Sequence, residues 1–396
     1  MNPWSGIKGL PRNIWLISAA SLINRIGTMV LPFLALYVTT TLKKDPTDAG
    51  LVIAFYGLGA FITAPFAGKL SDRLGELTMM KISLIGSGLF LFIISQITDY
   101  HLLLVAMVLW AAVAEAFRPA SLAFISNETT SKQRKTGFAL YRLAINLGMS
   151  IGPAVGGILS EIDFSLLFYV NGFSCLAAGL FVIFSKWDLR EKPEHESVPE
   201  MHAQTFFAVL QNKPFFLFLL LYIPIQIVYM QAFSTLPIYI VDNLGFTNAI
   251  FGIVIAVNTV IIILIEVPLN SWMTNWKNRN SLMLGAILTG IGFGLTAFAF
   301  DLPILITTVV IWTFGEMIFF PAAASYASEL SPLNKRGEFM GYFQMTFSFS
   351  FIAAPYLGTA IYESFGSVVL WLAAFAFTLT TIVLLLFVDR AKKITT

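Results

Sequence analysis

Long apolar stretches separated by short polar connections cover almost the whole chain. An α-helix rises about 1.5 Å per residue and the hydrocarbon layer of a bilayer is roughly 30 Å thick, so each stretch can cross a membrane as one helix. The pattern predicts twelve spans, which are Ile14–Thr39, Gly50–Leu70, Met79–Ile97, Leu102–Ile125, Thr136–Leu159, Ser165–Phe184, Phe215–Ile240, Asn248–Trp272, Ser281–Phe300, Leu302–Ala327, Phe339–Ile361 and Val368–Val388.

The connections between spans differ strongly in charge. Of the 24 Lys and Arg residues, 19 are assigned to the segment before span one, to every second connection or to the segment after span twelve, whereas the opposite side carries only Lys43 and Lys44. Because basic residues stay on the cytoplasmic side, the pattern predicts a multi-pass protein of a bacterial-type inner membrane, with both termini in the cytoplasm. Three further arginines lie inside spans, namely Arg25, Arg118 and Arg142.

One hydrophilic stretch divides the spans into two sets of six. We expect an N-terminal bundle over 1–185, a cytoplasmic linker loop over 186–213 and a C-terminal bundle over 214–396. Sliding the sequence against itself by 202 residues aligns Trp110/Trp312, Phe117/Phe319, Pro119/Pro321, Ala120/Ala322, Ser126/Ser328, Arg134/Arg336, Pro153/Pro355 and Gly156/Gly358. The halves therefore look like parallel repeats, as a rocking transporter requires, although a chance match of two Pro-bearing helices is an alternative.

Composition excludes several other classes of protein. A chain that is 57% hydrophobic and 12% charged has too much apolar surface for one aqueous core, and a net charge of +2 gives no reason to expect a nucleic-acid partner. The sequence has no Cys/His cluster for a metal and no Ser/His/Asp grouping inside a span, so we do not expect an enzyme. We expect a monomer in a lipid bilayer that binds a small molecule and has no cofactor.

The connection between spans two and three carries a compact motif, Gly68-Lys69-Leu70-Ser71-Asp72-Arg73-Leu74-Gly75. Gly68 permits close helix packing, and Gly75 permits a tight left-handed turn. Asp72 is an acid at the membrane boundary that can meet Arg73 or the positive N-terminus of a neighbouring helix.

Span five carries a second motif, in which small residues recur at every fourth position. Gly148, Gly152 and Gly156 form a strip on which another helix can lie very close. Pro153 bends the helix within this strip, next to Gly157.

These features together resemble the major facilitator superfamily over the whole chain. The first motif is similar to the G-x-L-[AS]-D-R-x-G signature of that family. The span-five motif is similar to one of the twelve-span drug:proton antiporters, as is Phe117-x-Pro119-Ala120 followed by Arg134. The resemblance implies an all-α membrane fold of twelve transmembrane helices in two pseudo-symmetric six-helix bundles.

The resemblance also implies a role for the first motif. Gly68, Asp72, Arg73 and Gly75 would form a latch that stabilises the state closed to the cytoplasm. The chain departs from the family pattern, because Glu76 and Leu77 replace the usual basic pair and the second-half copy has lost its acid.

Ionisable groups at membrane depth are costly and by default mark a transport path. Arg25 lies halfway through span one beside Asn24, where it either joins a structural ion pair or awaits an acidic group of the protein or substrate. Glu115 and Arg118 are helical neighbours, so an ion pair between them is one interpretation. A pair between Glu115 and Arg25 is the other.

Glu316 is the first candidate for proton coupling, because spans nine to eleven contain no basic residue at membrane depth. A buried carboxyl without a cationic partner favours the neutral acid, and such a group can gain or lose a proton as a cavity opens. Glu266 lies closer to the cytoplasmic end, where interfacial water can solvate it. Arg142 in span five is expected either to act at a cytoplasmic gate or to snorkel.

The residues predicted to line a substrate cavity come from several spans. Tyr222, Gln226 and Tyr229 follow one another at helical spacing in span seven, and ordinary packing is their alternative role. The family places spans one, four, seven and ten around the cavity, which adds Asn24, Arg25 and Trp312. Aromatic walls with a few charges suit amphiphilic organic solutes.

The favoured hypothesis is proton-coupled export of such solutes by alternating access, driven by the proton gradient, with Glu316, Glu115 and Glu266 as proton carriers. The alternative is proton-coupled uptake of a nutrient such as a peptide, an organic acid or an iron-chelate. A substrate carboxylate bound to Arg25 would favour uptake.

Overall fold

A computed structural model describes residues 5–44, 46–188, 211–246 and 248–395, and these ranges contain helices and no β-strand. The helices of the first half are α1 (Arg12–Ile26 and Val30–Leu36), α2 (Pro46–Leu74), α3 (Glu76–Ile94), α4 (Tyr100–Ala114 and Phe117–Glu128), α5 (Arg134–Ile162) and α6 (Ser165–Phe184). Those of the second half are α7 (Lys213–Met230 and Thr235–Ile238), α8 (Asn248–Trp272), α9 (Asn278–Leu295), α10 (Leu302–Leu330), α11 (Arg336–Phe365) and α12 (Ser367–Thr395).

Short helical turns complete these elements. They are an α-helical turn at Ser5–Lys8, π-helical turns at Tyr37–Thr41 and Tyr239–Asn243, and 3₁₀ turns at Met273–Asn275, Thr296–Phe298 and Leu333–Lys335.

Within the described residues, eleven helices are long and apolar enough to cross a membrane. The exception is α11, which has 30 residues but a less apolar sequence. The predicted all-α fold of apolar helices is confirmed. The breaks in α1, α4 and α7 were not predicted, and most of the predicted linker 186–213 lies outside the described residues.

The two halves pack in the same way. In the first half α1 packs on α5, α2 on α4 and α3 on α6, and in the second half the corresponding pairs are α7 on α11, α8 on α10 and α9 on α12. Between the halves α2 packs on α11 and α5 on α8, and these two contacts are also equivalent. The fold therefore repeats one six-helix unit, as the internal sequence match predicted.

A contact between equivalent residues locates the pseudo-twofold axis. The hydroxyl groups of Ser126 and Ser328, which are 202 positions apart, touch each other. Residues equivalent under the repeat can meet in this way only beside the axis that relates the halves. Arg336 donates to the Asn127 Oδ1 at 2.7 Å beside this point.

The connections α2–α3, α4–α5, α8–α9 and α10–α11 meet at one end of the bundle. Basic residues are concentrated there: three lie in the connections and five more lie within two residues of them, namely Lys132, Lys277 and Lys335, and Arg73, Arg134, Lys135, Arg279 and Arg336. We call this the basic end, and the charge pattern predicts that it faces the cytoplasm.

Candidate functional site

A charged network joins the two halves at the contact between α5 and the pair α8 and α10. Arg142 of α5 donates through Nε to the Glu266 Oε1 at 2.6 Å and through Nη2 to the Glu316 Oε1 at 2.9 Å. Its guanidinium also lies 5.0 Å from the centre of the Phe320 ring. One permanent cation of the first half is thus shared by two carboxyl groups of the second half.

Neutral polar side chains complete the network. The Tyr229 hydroxyl donates to the Glu316 Oε1 at 3.0 Å, and the Asn258 amide donates to the Glu316 Oε2 at 3.0 Å. The same Asn258 nitrogen lies 2.9 Å from the hydroxyl of Thr313. Both oxygens of Glu316 are therefore engaged. The Glu266 Oε2 is buried and has no hydrogen-bond partner among the described residues.

The network lies deep in the molecule but is not sealed. Glu266 is 0% exposed and Glu316 is 2% exposed, whereas the Arg142 side chain is 21% exposed. Water or a solute can therefore reach the guanidinium while the two carboxyl groups stay largely dry.

This arrangement corrects three expectations from the sequence. Glu316 has a cationic partner, because Arg142 comes from the other half and not from spans nine to eleven. Glu266 is buried and paired with Arg142 instead of being solvated by interfacial water. Arg142 points into the protein and does not snorkel. Sequence spacing within a helix could not reveal a partner on a helix of the other half.

A second charged group lies in the first half, around Arg25 of α1 and Arg118 of α4. The Tyr56 hydroxyl of α2 donates to the Glu115 Oε1 at 2.8 Å. Neither the Arg25 nor the Arg118 guanidinium forms an ion pair or a hydrogen bond with any described residue, so both predicted ion pairs with Glu115 are absent. Instead, the Arg118 Cζ lies 4.3 Å from the centre of the Phe347 ring of α11.

The predicted substrate residues have different surroundings. Asn24 donates to the Cys175 Sγ at 3.3 Å, inside the first half. Tyr222 and Gln226 are buried, and the Tyr222 ring lies 4.6 Å from that of Phe343. Tyr229 reaches the charged network through its hydroxyl group.

Trp312 packs inside the second half. It is buried, and its ring stacks on Phe293 of α9 at 5.3 Å. The structure therefore places Trp312 between α9 and α10. The centre of the Tyr229 ring lies 6.4 Å from that of Trp312, on the side of the charged network.

The acid of the loop motif contacts the N-terminus of α11. The Asp72 carboxylate accepts hydrogen bonds from the backbone N–H groups of Gly337 at 2.7 Å and Glu338 at 2.8 Å. Arg73 is exposed, and its side chain makes no hydrogen bond or ion pair with a described residue. Of the two partners foreseen for Asp72, the structure has the helix N-terminus, which attracts negative charge.

Two glycines of the same motif have distinct backbone roles. A Cβ atom at Gly68 would overlap the backbone carbonyl of Gly337, so α2 and α11 pack with their backbones in contact. Gly75 has φ +88, a left-handed conformation that favours glycine, and it ends α2 immediately before α3 begins.

An equivalent contact lies on the other side of the pseudo-twofold axis, and sequence reasoning missed it. The Lys135 Nζ at the start of α5 donates to the Trp276 carbonyl at 2.6 Å and to the Ser281 hydroxyl at 3.0 Å. The hydroxyl groups of Thr136 and Thr274 lie 3.5 Å apart beside it. The offset of 202 was the available signal, because it maps Asp72 onto Thr274.

The glycine strip of α5 faces α1. A Cβ at Gly152 would lie 2.9 Å from the Thr28 carbonyl, and one at Gly156 would lie 3.0 Å from the Phe33 ring. One at Gly148 would overlap Arg25. A Cβ at Gly157 would lie 3.7 Å from the Phe33 ring, an ordinary van der Waals distance. Pro153 lies inside the same helix.

Other polar residues of the site were also missed. Tyr56 and Asn258 stand alone in apolar stretches, and only that isolation could have indicated them. Among the described residues no group of His, Cys, Asp and Glu could hold a metal ion.

Comparison with known proteins gives a consistent result. The family model described as Major Facilitator Superfamily matches residues 16–265 and 218–396. The uncharacterized MFS-type transporter YqjV of Bacillus subtilis (strain 168) is 25% identical over 374 residues, covering 93% of this chain and 90% of the relative.

Multidrug resistance protein 1 of the same organism is 25% identical over 339 residues, covering 83% of this chain and 85% of the relative. Among solved structures, the human organic anion transporter MFSD10 (TETRAN) has a TM-score of 0.72 at 15% identity, covering 95% of this chain and 100% of that one.

Proposed function

Since the chain belongs to the major facilitator superfamily, we propose that it exports amphiphilic organic compounds across a bacterial inner membrane in exchange for protons, by alternating access. The name of the relative Multidrug resistance protein 1 supports export as the direction. The observation that carries the proposal is the network of one arginine and two glutamates between the halves.

The charge balance of this network supports a proton-binding role. With Glu266 and Glu316 both ionised, the single guanidinium of Arg142 leaves one negative charge uncompensated in a buried setting, which is costly. Uptake of one proton makes the network neutral. The Glu266 Oε2 has no hydrogen-bond partner among the described residues, so a proton bound there disrupts no existing contact.

The position of the network supports coupling to conformational change. Arg142 belongs to the first half and both acids belong to the second, so the contact must change when the halves rock. In this structure Asp72 and Lys135 hold the halves together at the basic end. We propose that a proton on the network weakens its attraction for Arg142, and that this change favours separation of the halves at that end.

Export predicts a specific effect of neutral substitutions. In everted membrane vesicles, Glu316→Gln and Glu266→Gln should each abolish transport of a fluorescent amphiphile such as rhodamine 6G driven by a pH gradient. The matched control is Glu161→Gln, an exposed glutamate of α5 outside the network. If transport by both network variants proceeds at the full rate, the proposal is wrong.

A second candidate is proton-driven uptake of a nutrient such as an organic acid. The observation that favours it is Arg25, a cation at membrane depth without an acidic partner among the described residues. Counterflow in proteoliposomes under opposite pH gradients separates the two directions. A proton antiporter and a proton symporter accumulate substrate in the proteoliposomes under pH gradients of opposite sign.

A further inference from the structure

Two arginine side chains in the first half lack an ion pair within the part of the chain that the structure describes. Arg25 of α1 and Arg118 of α4 are half-buried, and neither guanidinium forms an ion pair or hydrogen bond with a described residue. Arg118 interacts electrostatically with Arg25 and with Glu115. With two guanidinium groups and one carboxylate, the group formed by Arg25, Arg118 and Glu115 carries a net charge of +1.

Such a group is unfavourable unless something balances it. A guanidinium stays charged in proteins, so neither arginine can relieve the repulsion by losing a proton. Glu115 compensates for one positive charge at most, and one of its oxygens already accepts a hydrogen bond from Tyr56. A second anion is therefore the missing partner. Both guanidinium groups are partly exposed, so such an anion can reach them.

The surroundings indicate the chemistry of the rest of the ligand. The Arg118 guanidinium lies against the Phe347 ring, which belongs to the second half. Phe343 lies one helical turn before Phe347 on α11, and the Tyr222 ring of α7 packs against it. The Tyr222 ring also lies 6.2 Å from that of Phe320, against which Arg142 packs, so the arginine group adjoins the carboxyl network. The Tyr222 ring is itself packed in a cluster with Phe343 and Phe319. An anion bound here would have aromatic surface beside it.

We propose that Arg25 and Arg118 bind the acidic group of an amphiphilic ligand, a carboxylate, sulfonate or phosphate attached to an apolar body. This inference rests on the proposed transport function, and it names the substrate class. Two guanidinium groups can donate several charge-assisted hydrogen bonds to one such group. The ligand's apolar part would contact Phe347.

The experiment uses two ligands that differ in charge but hardly in shape. Binding of naphthalene-2-sulfonate and of neutral naphthalene-2-sulfonamide to the purified full-length protein in lipid nanodiscs is measured by calorimetry. We expect the sulfonate to bind at least about tenfold more tightly, because only the sulfonate offers ionised oxygens to the arginines. Arg25→Gln and Arg118→Gln should each remove this preference.

Controls separate the site from general electrostatic attraction. Arg25→Lys keeps the charge and should retain part of the preference, and Arg12→Gln removes an exposed cation far from the site and should retain all of it. Thermal unfolding checks that each variant is folded. Equal binding of the two ligands, no sulfonate binding at millimolar concentration, or a preference that survives in both glutamine variants overturns the proposal.

Two sources could supply this chemistry, a soluble organic anion or the headgroup of an acidic lipid. Nanodiscs of phosphatidylcholine alone and nanodiscs with added phosphatidylglycerol distinguish them, since only a lipid-binding site loses sulfonate affinity when the acidic lipid is present. Binding is measured without a gradient. Failure of proton-driven transport therefore leaves this result standing, and absence of the charge preference leaves the proposed export untouched.

Discussion

The hydrogen bonds between Asp72 and α11 allow a quantitative prediction about the state closed at the basic end. Asp72→Asn removes the negative charge and turns one of two accepting oxygens into a donor that cannot pair with the N–H groups of Gly337 and Glu338. One charge-assisted hydrogen bond contributes about 1.5–3 kcal/mol. A negative charge at a helix N-terminus adds roughly 0.3–1 kcal/mol.

Because Asp72 is half-buried, solvent screens part of this energy, and we take a total of about 2 kcal/mol. A difference of that size changes the ratio of closed to open molecules roughly 30-fold. The contact joins α2 of one half to α11 of the other, so the lost energy belongs to the closed state alone. The substitution should therefore populate molecules in which the basic end is open.

Distances between spin labels measure this population. Labels on Lys132→Cys and Leu333→Cys would report the separation of the halves, because both residues are exposed and lie in equivalent connections at the basic end. The native Cys175 is buried and should not react. We expect double electron–electron resonance to show a new, longer distance in Asp72→Asn.

The control is Asp99→Asn, the same chemical change in an aspartate whose Oδ1 accepts a hydrogen bond from Leu102 within one half. It should leave the distances unchanged. If the distance distribution of Asp72→Asn superimposes on that of the unchanged protein, the contact does not stabilise the closed state and the reasoning is refuted.

Two further predictions concern other contacts between helices. Gly148→Ala should lower the free energy of unfolding of the purified protein by roughly 1–3 kcal/mol, because the new Cβ would lie 2.9 Å from the Arg25 backbone. Gly157→Ala should have little effect on it. Equal melting temperatures for the two variants would contradict this. Lys135→Met removes the donor to the Trp276 carbonyl and should lengthen the same spin-label distance. No change in that distance would exclude Lys135 as a latch.

Much of the fold followed from the sequence because the hydrophobic pattern is local. A helix in a bilayer must form its backbone hydrogen bonds within itself and present apolar side chains to lipid. The residues of each span are therefore enough to predict that span. The internal match at an offset of 202 also carried tertiary information. It predicted equivalent halves, and Ser126 and Ser328 meet where those halves adjoin.

The candidate site was only partly predictable. Ionisable side chains at membrane depth carry a high free-energy cost, which identified Arg142, Glu266 and Glu316 as unusual residues. That cost could not show that the three side chains touch. The roles assigned to Glu115, Tyr222 and their neighbours stay predictions.

By itself the sequence determined the helices and their repeat. It also predicted the side of the membrane on which the basic loops lie, and it showed which ionisable residues needed an explanation. Only the tertiary structure decided their partners. Arg142 meets acids 124 and 174 positions away, and such contacts depend on which helix faces pack across the two halves. Packing is collective, since many side chains on both helices fix it together, and no pattern within one span records it.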